Sequence, residues 1–400
     1  MSTRKYDFLI IGAGIVGLSV AYELKKRFPQ ARIGVLEKES SEGLHASGRN
    51  SGVLHSGVYY SNDTLKARVC ATGAARMRSF AAENSIPCLT SGKVIVATSE
   101  SELATLYSIL NNANANGIRA FSIDEKQLRE IEPYATAGIA AIYTPDTAVI
   151  DNKLVLKRLV NLLEMSGVNF YWSHKLSHVL NNGEVVCSSE QFSYGHLFNC
   201  AGAYADSVAK KFDLAKDYAL IPFKGIYWKL RPESQHLVRS NIYPVPDISL
   251  PFLGVHLTRS INGDVYIGPT AIPVLGRENY SILQGICPLE AVGIGLRLAL
   301  MYLDNSQNFR KLAHMEISKY SKSNFVKAGQ KLLPSMKAAD MVATPKSGIR
   351  PQLYNLKTGR LEMDFILNHT DNSTHVLNAI SPAFTSAFAF AEMIVDSSRL

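Results

Sequence analysis

The sequence predicts an α/β protein in which a parallel-sheet domain is interleaved with a second, α+β domain. Residues 6–37 read as strand, glycine turn, helix and strand, the pattern of a parallel βαβ unit. Residues 216–345 are instead rich in short strands, with aromatic residues and Pro or Gly between them. Residues 375–397 return to a strand, a loop and a helix, so we expect the chain to end in its first domain.

The N-terminal unit carries the glycine spacing of a dinucleotide-binding turn. The apolar run YDFLII is followed by Gly12, Gly14 and Gly17, then by a helical pattern and a second strand that ends on Glu37. Gly12 permits the tight turn, Gly14 lets the backbone approach a pyrophosphate, and Gly17 lets the helix pack closely on the strand. Glu37 lies roughly 20 residues beyond Gly17, where an acid accepts hydrogen bonds from ribose hydroxyls. These features predict a Rossmann-like domain for a dinucleotide without a 2′-phosphate.

The segment after Glu37 distinguishes between two dinucleotides. An NAD-binding unit usually continues into further alternating strands and helices. Here the polar, glycine-rich stretch HASGRNSGVLHSGVYY follows at residues 45–60. Backbone amides and Ser or Asn side chains in such a stretch suit a long ligand that extends past the first unit. The sequence therefore favours FAD.

Six stretches, spread over almost the whole chain, carry the motifs of one family. They are DFLIIGAGIVGLSVAYEL, SGRNSGVLHSGVYY, LFNCAGAYAD (197–206), PFLGVHLTRSINGDVYIGPTA (251–271), SGIRPQL (347–353) and HVLNAISPAFTSAFAFAEMI (375–394). Together they resemble the L-2-hydroxyglutarate dehydrogenase/oxidase group of the D-amino-acid-oxidase-like superfamily of FAD-dependent oxidoreductases. The resemblance implies a FAD-binding domain of the glutathione-reductase type and a substrate domain on a mixed or antiparallel sheet.

The order of elements predicts that both domains are discontinuous. We expect residues 1–87, 147–215 and 346–400 to form the FAD-binding domain. Residues 88–146 and 216–345 are expected to form the substrate-binding domain.

The resemblance also implies which residues contact FAD. They are Gly12, Gly14, Ile15, Gly17, Glu37, Lys38, Ser47, Asn50, Ser51, Gly52, Gly202, Ser381, Phe384 and Thr385. We expect the last helix to present its first amides to the flavin, with Ser381, Thr385 or Ser386 as the cap. No spacing diagnostic of covalent attachment is present, so we expect noncovalent FAD. The five cysteines are scattered without paired spacing, and we expect no disulfide and no metal site.

Oxidation of a 2-hydroxy acid needs a hydride acceptor, which the flavin supplies, and a base for the hydroxyl proton. A histidine is mostly neutral at neutral pH and can accept that proton. His256 and His55 are the candidates, and the resemblance favours His256 for the substrate and His55 for the flavin neighbourhood. The alternative for either is an ordinary core histidine.

A dicarboxylate substrate also needs cationic anchors, and arginine makes two-pronged contacts with carboxylates. Arg350 stands where relatives in the superfamily have a carboxylate-binding arginine. Arg259 is a second candidate, although in a strand it points to the face opposite His256. Further polar candidates for the substrate pocket are Tyr59, Tyr60, Thr385, Lys224 and Arg277.

The resemblance implies oxidation of L-2-hydroxyglutarate to 2-oxoglutarate, with electrons passing to a membrane quinone or to O2. One alternative is a related flavoenzyme that oxidises an amino acid or glycerol 3-phosphate. The other is a flavin-binding scaffold or sensor without catalysis.

The charge distribution bears on partners and location. The net charge is +8, and residues 309–331 form a basic amphipathic stretch that can contact an anionic membrane surface. The alternative is a solvated helical face. The N-terminus lacks the pattern of a signal peptide, and we expect a cytoplasmic protein that can bind peripherally to the inner face of the cytoplasmic membrane. We expect a small-molecule partner and no nucleic acid.

Overall fold

The structure is a computed structural model that describes residues 3–181, 183–282 and 284–400. Its strands are β1 (Arg4–Ile11), β2 (Ile33–Leu36), β3 (Val53–Leu54), β4 (Cys88–Thr90), β5 (Lys93–Ala97), β6 (Phe121–Asp124), β7 (Ala140–Thr144), β8 (Ala148–Ile150), β9 (Asn169–Tyr171), β10 (Leu176–Asn181), β11 (Glu184–Cys187), β12 (Glu190–Asn199), β13 (Tyr218–Leu230), β14 (Asn241–Pro244), β15 (His256–Arg259), β16 (Val265–Gly268), β17 (Ile272–Pro273), β18 (Met341–Asn355), β19 (Arg360–Leu361), β20 (Leu367–His369) and β21 (Ser373–Val376). Its α-helices are α1 (Ile15–Arg27), α2 (Leu65–Glu83), α3 (Leu103–Ala115), α4 (Glu125–Ile131), α5 (Asn152–Met165), α6 (Ala205–Lys210), α7 (Pro288–Asp304), α8 (Phe309–Ser318), α9 (Lys322–Gln330) and α10 (Ala387–Ser397).

The first sheet has a parallel core in the order β9–β2–β1–β12–β21. The hairpin β10–β11 extends it along the first half of β12, and β20 pairs antiparallel with β21. Helices α1, α5 and α10 bury apolar side chains in one core against this sheet, among them Leu18, Leu159 and Phe390. The buried apolar side of α1 packs against the apolar residues of β1 and β2. These three elements therefore form the predicted βαβ unit. The Rossmann-like fold class is confirmed.

The second sheet runs in the order β19–β18–β13–β16–β15–β14–β5–β7–β6, with β17 also paired to β13. Its strand pairs are antiparallel except β14 with β5. This is the mixed sheet that the sequence predicts for the substrate domain. The predicted domain boundary at 346 falls inside β18, which pairs with β13 as far as Asn355. We therefore propose that the return to the first sheet comes after Leu361.

A small sheet of β3, β8 and β4 lies where the chain leaves and re-enters the first domain. Strand β3 directly precedes the segment that carries His55 and Tyr59. The small sheet therefore holds the end of the glycine-rich segment next to the second domain.

Helices α8 and α9 contain the basic stretch of residues 309–331. Their apolar residues Phe309, Leu312, Phe325 and Val326 are buried. The stretch is thus amphipathic because its apolar side packs on the protein. Among the described residues, no helix has the length and apolar character that a bilayer span requires.

Candidate active site

One cavity of about 810 Å³ connects the glycine turn with the second sheet. At one end it is lined by Gly12, Gly14 and Glu37, and at the other by His256 and Arg350. Of the predicted FAD contacts, the lining includes Gly12, Gly14, Ile15, Glu37, Lys38, Ser47, Asn50, Ser51, Gly202, Ser381, Phe384 and Thr385. Its volume is within the range of cofactor sites, roughly 300–1,000 Å³.

Gly17 and Gly52 do not line the cavity, but each lets backbone segments approach. A Cβ on Gly17 would lie 2.0 Å from the carbonyl oxygen of Gly12, so any side chain there would push α1 away from the turn. Gly52 has a φ of +77°, and a Cβ there would lie 2.6 Å from the carbonyl oxygen of Ile150. We therefore propose that these two glycines shape the cavity through the backbone and do not contact FAD directly.

The N-terminus of α1 opens on the cavity. Its N-cap is Gly14, which supplies no side-chain hydrogen bond, and the first turn carries no acidic residue. The Ile15 amide donates to the hydroxyl of Ser47 over 3.0 Å, which ties the following loop to the helix. Free amides and the helix dipole at such an end attract anions, as the predicted pyrophosphate contact requires.

Glu37 lies at the carboxyl end of β2 and is buried. Its carboxylate accepts from the amides of Ala13, over 2.8 Å, and Glu39, over 3.0 Å. A carboxylate offers about four lone-pair sites, so capacity remains for hydroxyl donors in the cavity. This position matches the predicted ribose contact.

Lys38 forms an ion cluster beside Glu37. Its ammonium contacts Glu39, lies 2.6 Å from Glu278 Oε1 and 2.9 Å from His45 Nε2. Glu39, His45 and Glu278 are close enough together to ligate an ion, but Lys38 already supplies the positive charge. The cluster joins the end of β2 to the loop before α7.

The segment before α10 returns to the cavity at Ser381, Phe384 and Thr385. The hydroxyl of Thr385 donates to the Val53 carbonyl over 3.3 Å and accepts from the His55 amide over 3.2 Å. The hydroxyl of Ser386 donates to the Pro382 carbonyl. The predicted capping of α10 by these hydroxyls is wrong, because α10 begins without a side-chain cap and Thr385 is bonded to the edge of β3 instead.

His256 is buried, 6% exposed, at the start of β15. Its Nδ1 lies 2.9 Å from the carbonyl oxygen of Gly254. A carbonyl only accepts, so Nδ1 carries the hydrogen and Nε2 is the unprotonated nitrogen. Burial lowers the pKa of His256 to about 3, aided by the charges of Arg350 and Lys93 and opposed by the Gly254 hydrogen bond. His256 is therefore neutral at neutral pH.

His55 and Tyr59 line the same end of the cavity. The His55 ring lies 6.5 Å from the Tyr243 ring between centroids. Burial lowers the pKa of His55 to about 3, and the charges of Lys93 and His256 add to the effect. The Tyr59 hydroxyl is buried and has no hydrogen-bond partner among the described residues.

Arg350 reaches the cavity from β18, where it pairs with Phe223 of β13. Its Nη1 donates to the Thr270 carbonyl over 3.2 Å, and its guanidinium lies 5.5 Å from the Phe252 ring centroid. Its other N–H groups remain for an anion in the cavity, because no carboxylate contacts the guanidinium in the described chain.

Arg259 does not line the cavity, so we do not propose it as a substrate anchor. Residues of β15 alternate between faces, and Arg259 Nη1 donates to the carbonyls of Gln235 and Val238. Two other cationic candidates are also engaged. Arg277 pairs with Asp206 and Glu290, and Lys224 donates to the Ser281 carbonyl over 2.7 Å.

Two residues near His256 were absent from the sequence prediction. The ring of Tyr243, on β14, stacks on His256 with centroids 4.0 Å apart. Lys93, at the start of β5, is fully buried behind Tyr59 and Tyr243. The only sequence feature that marks Lys93 is its position after a glycine and at the start of the apolar run KVIVA.

A family model described as "FAD dependent oxidoreductase" matches residues 7–397. The chain belongs to this FAD-dependent oxidoreductase family. FAD is its cofactor, and the cavity fits FAD because a glycine turn, an uncapped helix N-terminus and Glu37 meet at one end of it.

Curated relatives match this oxidoreductase over its full length. It is 36% identical over 400 residues to the L-2-hydroxyglutarate dehydrogenase of Indibacter alkaliphilus, with 98% of both chains covered. It is 35% identical over 400 residues to the Escherichia coli K12 enzyme of that name, covering 98% of this chain and 92% of the relative. The human mitochondrial enzyme of that name is 32% identical over 420 residues, with 99% and 89% covered.

Solved structures share the fold at lower identity. The FAD-bound L-α-glycerophosphate oxidase of Mycoplasma pneumoniae has a TM-score of 0.76 at 21% identity, covering 98% of this chain and 94% of that one. Glycine oxidase of Geobacillus kaustophilus has a TM-score of 0.74 at 16% identity, with 98% and 94% covered.

Proposed function

We propose that this protein oxidises L-2-hydroxyglutarate to 2-oxoglutarate. The observation that carries the proposal is the single cavity that joins the FAD end to His256 and Arg350. Relatives at 32–36% identity bear the name L-2-hydroxyglutarate dehydrogenase. When bound, the flavin supplies the acceptor for the hydride from substrate C2, and the hydroxyl proton leaves to a base, so that a C=O bond replaces the C–H and O–H bonds.

His256 is the proposed base. The Gly254 carbonyl fixes its Nδ1–H, which leaves Nε2 to accept the hydroxyl proton. A pKa of about 3 keeps the ring unprotonated but makes it a weak base. A bound substrate dianion favours the protonated ring and thus raises this pKa toward the working range.

Arg350 is the proposed anchor of a substrate carboxylate. Its guanidinium holds a fixed direction because one N–H group donates to Thr270. Lys66 is one of several further cations on the cavity wall, and its ammonium lies 5.7 Å from the Tyr60 ring centroid. A wall that carries cations in addition to Arg350 suits a substrate with two carboxylates.

Anaerobic titration of the purified holoenzyme tests this function. L-2-Hydroxyglutarate should bleach the oxidised flavin spectrum, whereas glycine, D-amino acids and glycerol 3-phosphate should leave it unchanged. Bleaching only by an amine or by glycerol 3-phosphate would support the related-flavoenzyme alternative. A flavin that none of these compounds reduces would support the scaffold alternative.

The base assignment has a matched histidine control. His256→Ala should slow flavin reduction about 100-fold or more, since a positioned base contributes roughly 10²–10⁴, while its FAD content stays the same. His314→Ala removes an exposed histidine of α8 that hydrogen-bonds to Tyr302 and does not line the cavity, and it should reduce flavin at the normal rate. Normal reduction by His256→Ala would eliminate His256 as the base.

We further propose that electrons pass to a membrane quinone or to O2, and that the protein docks on an anionic membrane through α7. On α7, five apolar side chains at helical spacing are 60–89% exposed: Leu289, Val292, Leu296, Leu300 and Leu303. Such a stripe suits insertion between lipid headgroups.

Cations from the 309–331 stretch accompany this stripe. Arg310 donates to the carbonyls of Tyr302 and Leu303, so its charge lies at the end of α7. Lys311 pairs with Asp247, and the neighbouring Ile248 is 82% exposed and lines the cavity. An exposed apolar residue of the cavity wall therefore lies beside a cation of this stretch, and each nearby cation adds ~1 kcal/mol of attraction to anionic lipid.

Vesicle sedimentation tests the docking. The protein should pellet with vesicles of phosphatidylcholine and phosphatidylglycerol, and the double variant Leu296→Ser/Leu300→Ser should remain in the supernatant. Met165→Ser, which removes an 81% exposed methionine of α5, is the control and should pellet normally. Retained pelleting by the double variant would refute docking through α7, and a change from dimer to monomer in that variant would assign the stripe to a second copy instead.

A further inference from the structure

Lys93 is a buried cation without a counter-ion. Its side chain is 0% exposed at the start of β5, and its Nζ has no hydrogen-bond partner among the described residues. Removing an ammonium from water without pairing it is costly. Because burying this charge destabilises the fold, we look to function rather than packing for its role.

The neighbours of Lys93 connect it to the reaction end of the cavity. Its Nζ lies 4.8 Å from the Tyr59 ring centroid and 5.3 Å from that of Tyr243. Both rings line the cavity, and Tyr243 stacks on His256. Lys93 is thus separated from the proposed base by one aromatic ring.

Within the part of the chain that the structure describes, the ionisable groups that face Lys93 include no carboxylate. They are Tyr59 and His55 from the segment after β3, Cys70 from α2, Tyr243 from β14 and His256 from β15. The hydroxyls of Tyr59 and Tyr243 also lack partners in the described chain. The positive charge of Lys93 therefore acts on the cavity without neutralisation by the protein.

We propose that Lys93 is a positioning residue for the oxidation, whose charge attracts the anionic substrate and stabilises the negative charge that develops on its hydroxyl oxygen. As the hydroxyl proton leaves to His256 and the hydride leaves C2, charge builds on that oxygen before the C=O bond is complete. A fixed cation in a water-poor site stabilises this charge without reorganising. The inference rests on the proposed function.

Lys93 carries its positive charge only over a limited pH range. Burial lowers the pKa of Lys93 to about 8, with Cys70 opposing the effect. The cation is thus lost as the pH rises through about 8, whereas an arginine at this position would stay charged.

Three variants distinguish an effect of the Lys93 charge from an effect on folding. Lys93→Met removes the charge, Lys93→Arg retains it, and Lys346→Met is the control. Lys346 also lies over two tyrosine rings, at 5.4 Å from Tyr227 and 4.0 Å from Tyr266, and burial lowers its pKa to about 8. It does not line the cavity.

Two readouts are measured on each holoenzyme between about pH 6 and about pH 10. One is the dissociation constant of 2-oxoglutarate, obtained from the absorbance change of the oxidised flavin. The other is the anaerobic rate of flavin reduction by L-2-hydroxyglutarate. FAD content and circular dichroism report whether each variant folds.

For wild type and Lys346→Met we expect binding and reduction to weaken together above about pH 8. Lys93→Met should bind 2-oxoglutarate about tenfold more weakly at neutral pH, as expected for the loss of one buried charge near an anion. Its step near pH 8 should be smaller than that of wild type, because only Lys66 still loses its charge there. Lys93→Arg should keep its charge to about pH 10 and should show the same reduced step near pH 8.

Wild-type binding and rate in Lys93→Met would overturn the inference. A step near pH 8 that is as large in Lys93→Arg as in wild type would do the same, since the whole step would then belong to Lys66, whose pKa burial also lowers to about 8. If Lys93→Met fails to fold, the Lys93→Arg profile alone decides. A wild-type flavin that L-2-hydroxyglutarate does not bleach would instead refute the proposed function.

Discussion

Replacing Lys93 by methionine should make the protein more stable at neutral pH, although it impairs catalysis. The pKa of Lys93 falls from its ordinary 10.5 to about 8 because the ammonium is buried. One pKa unit corresponds to about 1.4 kcal/mol, so the charged side chain costs the folded state about 3 kcal/mol at pH 7. Methionine has a similar shape and no charge, so it removes this cost without opening a cavity.

The stability that Lys93→Met gains over wild type should decrease as the pH rises. Between about pH 8 and 10.5 the unfolded chain still binds the Lys93 proton and the folded protein does not. Wild-type stability therefore rises with pH over this window. The advantage of Lys93→Met is complete below about pH 8 and disappears near pH 10.5.

Urea unfolding of the holoenzyme at saturating FAD measures this difference. We expect a higher midpoint for Lys93→Met at pH 7, and equal midpoints for the two proteins near pH 10.5. Lys229→Met, which removes a surface lysine paired with Asp264, should show no such gain. A variant less stable than wild type at pH 7 would mean that Lys93 has a stabilising partner and would refute the reasoning.

Three further perturbations follow from the structure. Arg277→Leu should lower the free energy of unfolding by about 3 kcal/mol, because it removes the close partner of the buried Asp206, 1% exposed, and leaves only the Lys210 ammonium, 3.8 Å away; the double variant with Asp206→Asn should recover part of the loss in the same urea assay. Gly17→Ala should yield a folded but FAD-depleted protein, since its Cβ would lie 2.0 Å from a carbonyl of the glycine turn; full flavin absorbance would contradict this. The pKa values of His55 and His256 are both lowered to about 3 by burial, so the unfolded chain binds more protons below about pH 6.5 and the unfolding midpoint should fall between pH 7 and pH 5; a midpoint that holds constant in wild type would count against neutral, buried histidines.

The first domain was predictable because its signals are local. Gly12, Gly14, Gly17 and Glu37 occupy one short βαβ unit, and their spacing specifies both the turn and the acid at the end of β2. The domain boundary that we propose after Leu361 has no such local signal. Strand β18 belongs to the second sheet because it pairs with β13, more than a hundred residues earlier, and no local pattern records that partnership.

The site shows the same division between local and distant signals. Arg259 and His256 point to opposite faces because side chains alternate along a strand. This rule is a better guide to the position of Arg259 than its closeness to His256 in the sequence. Lys93 could not be recognised from its own segment. A lysine at a strand end is usually solvated, and here Tyr59 and Tyr243, from two other segments, cover it.

The chain enters or leaves the second sheet at several places: from β4 of the small sheet to β5, from β7 to β8 of the small sheet, from α6 to β13 and from β19 to β20. Neither half can therefore be produced by shortening the gene. A stop codon after Leu361 would remove β21, which pairs with β12, and α10, which packs on α1. The sheet and the helix that hold the glycine turn would then lack these contacts. For the same reason, a protease that nicks one surface loop should release no fragment that keeps the yellow colour, and loss of the flavin should coincide with melting of both halves.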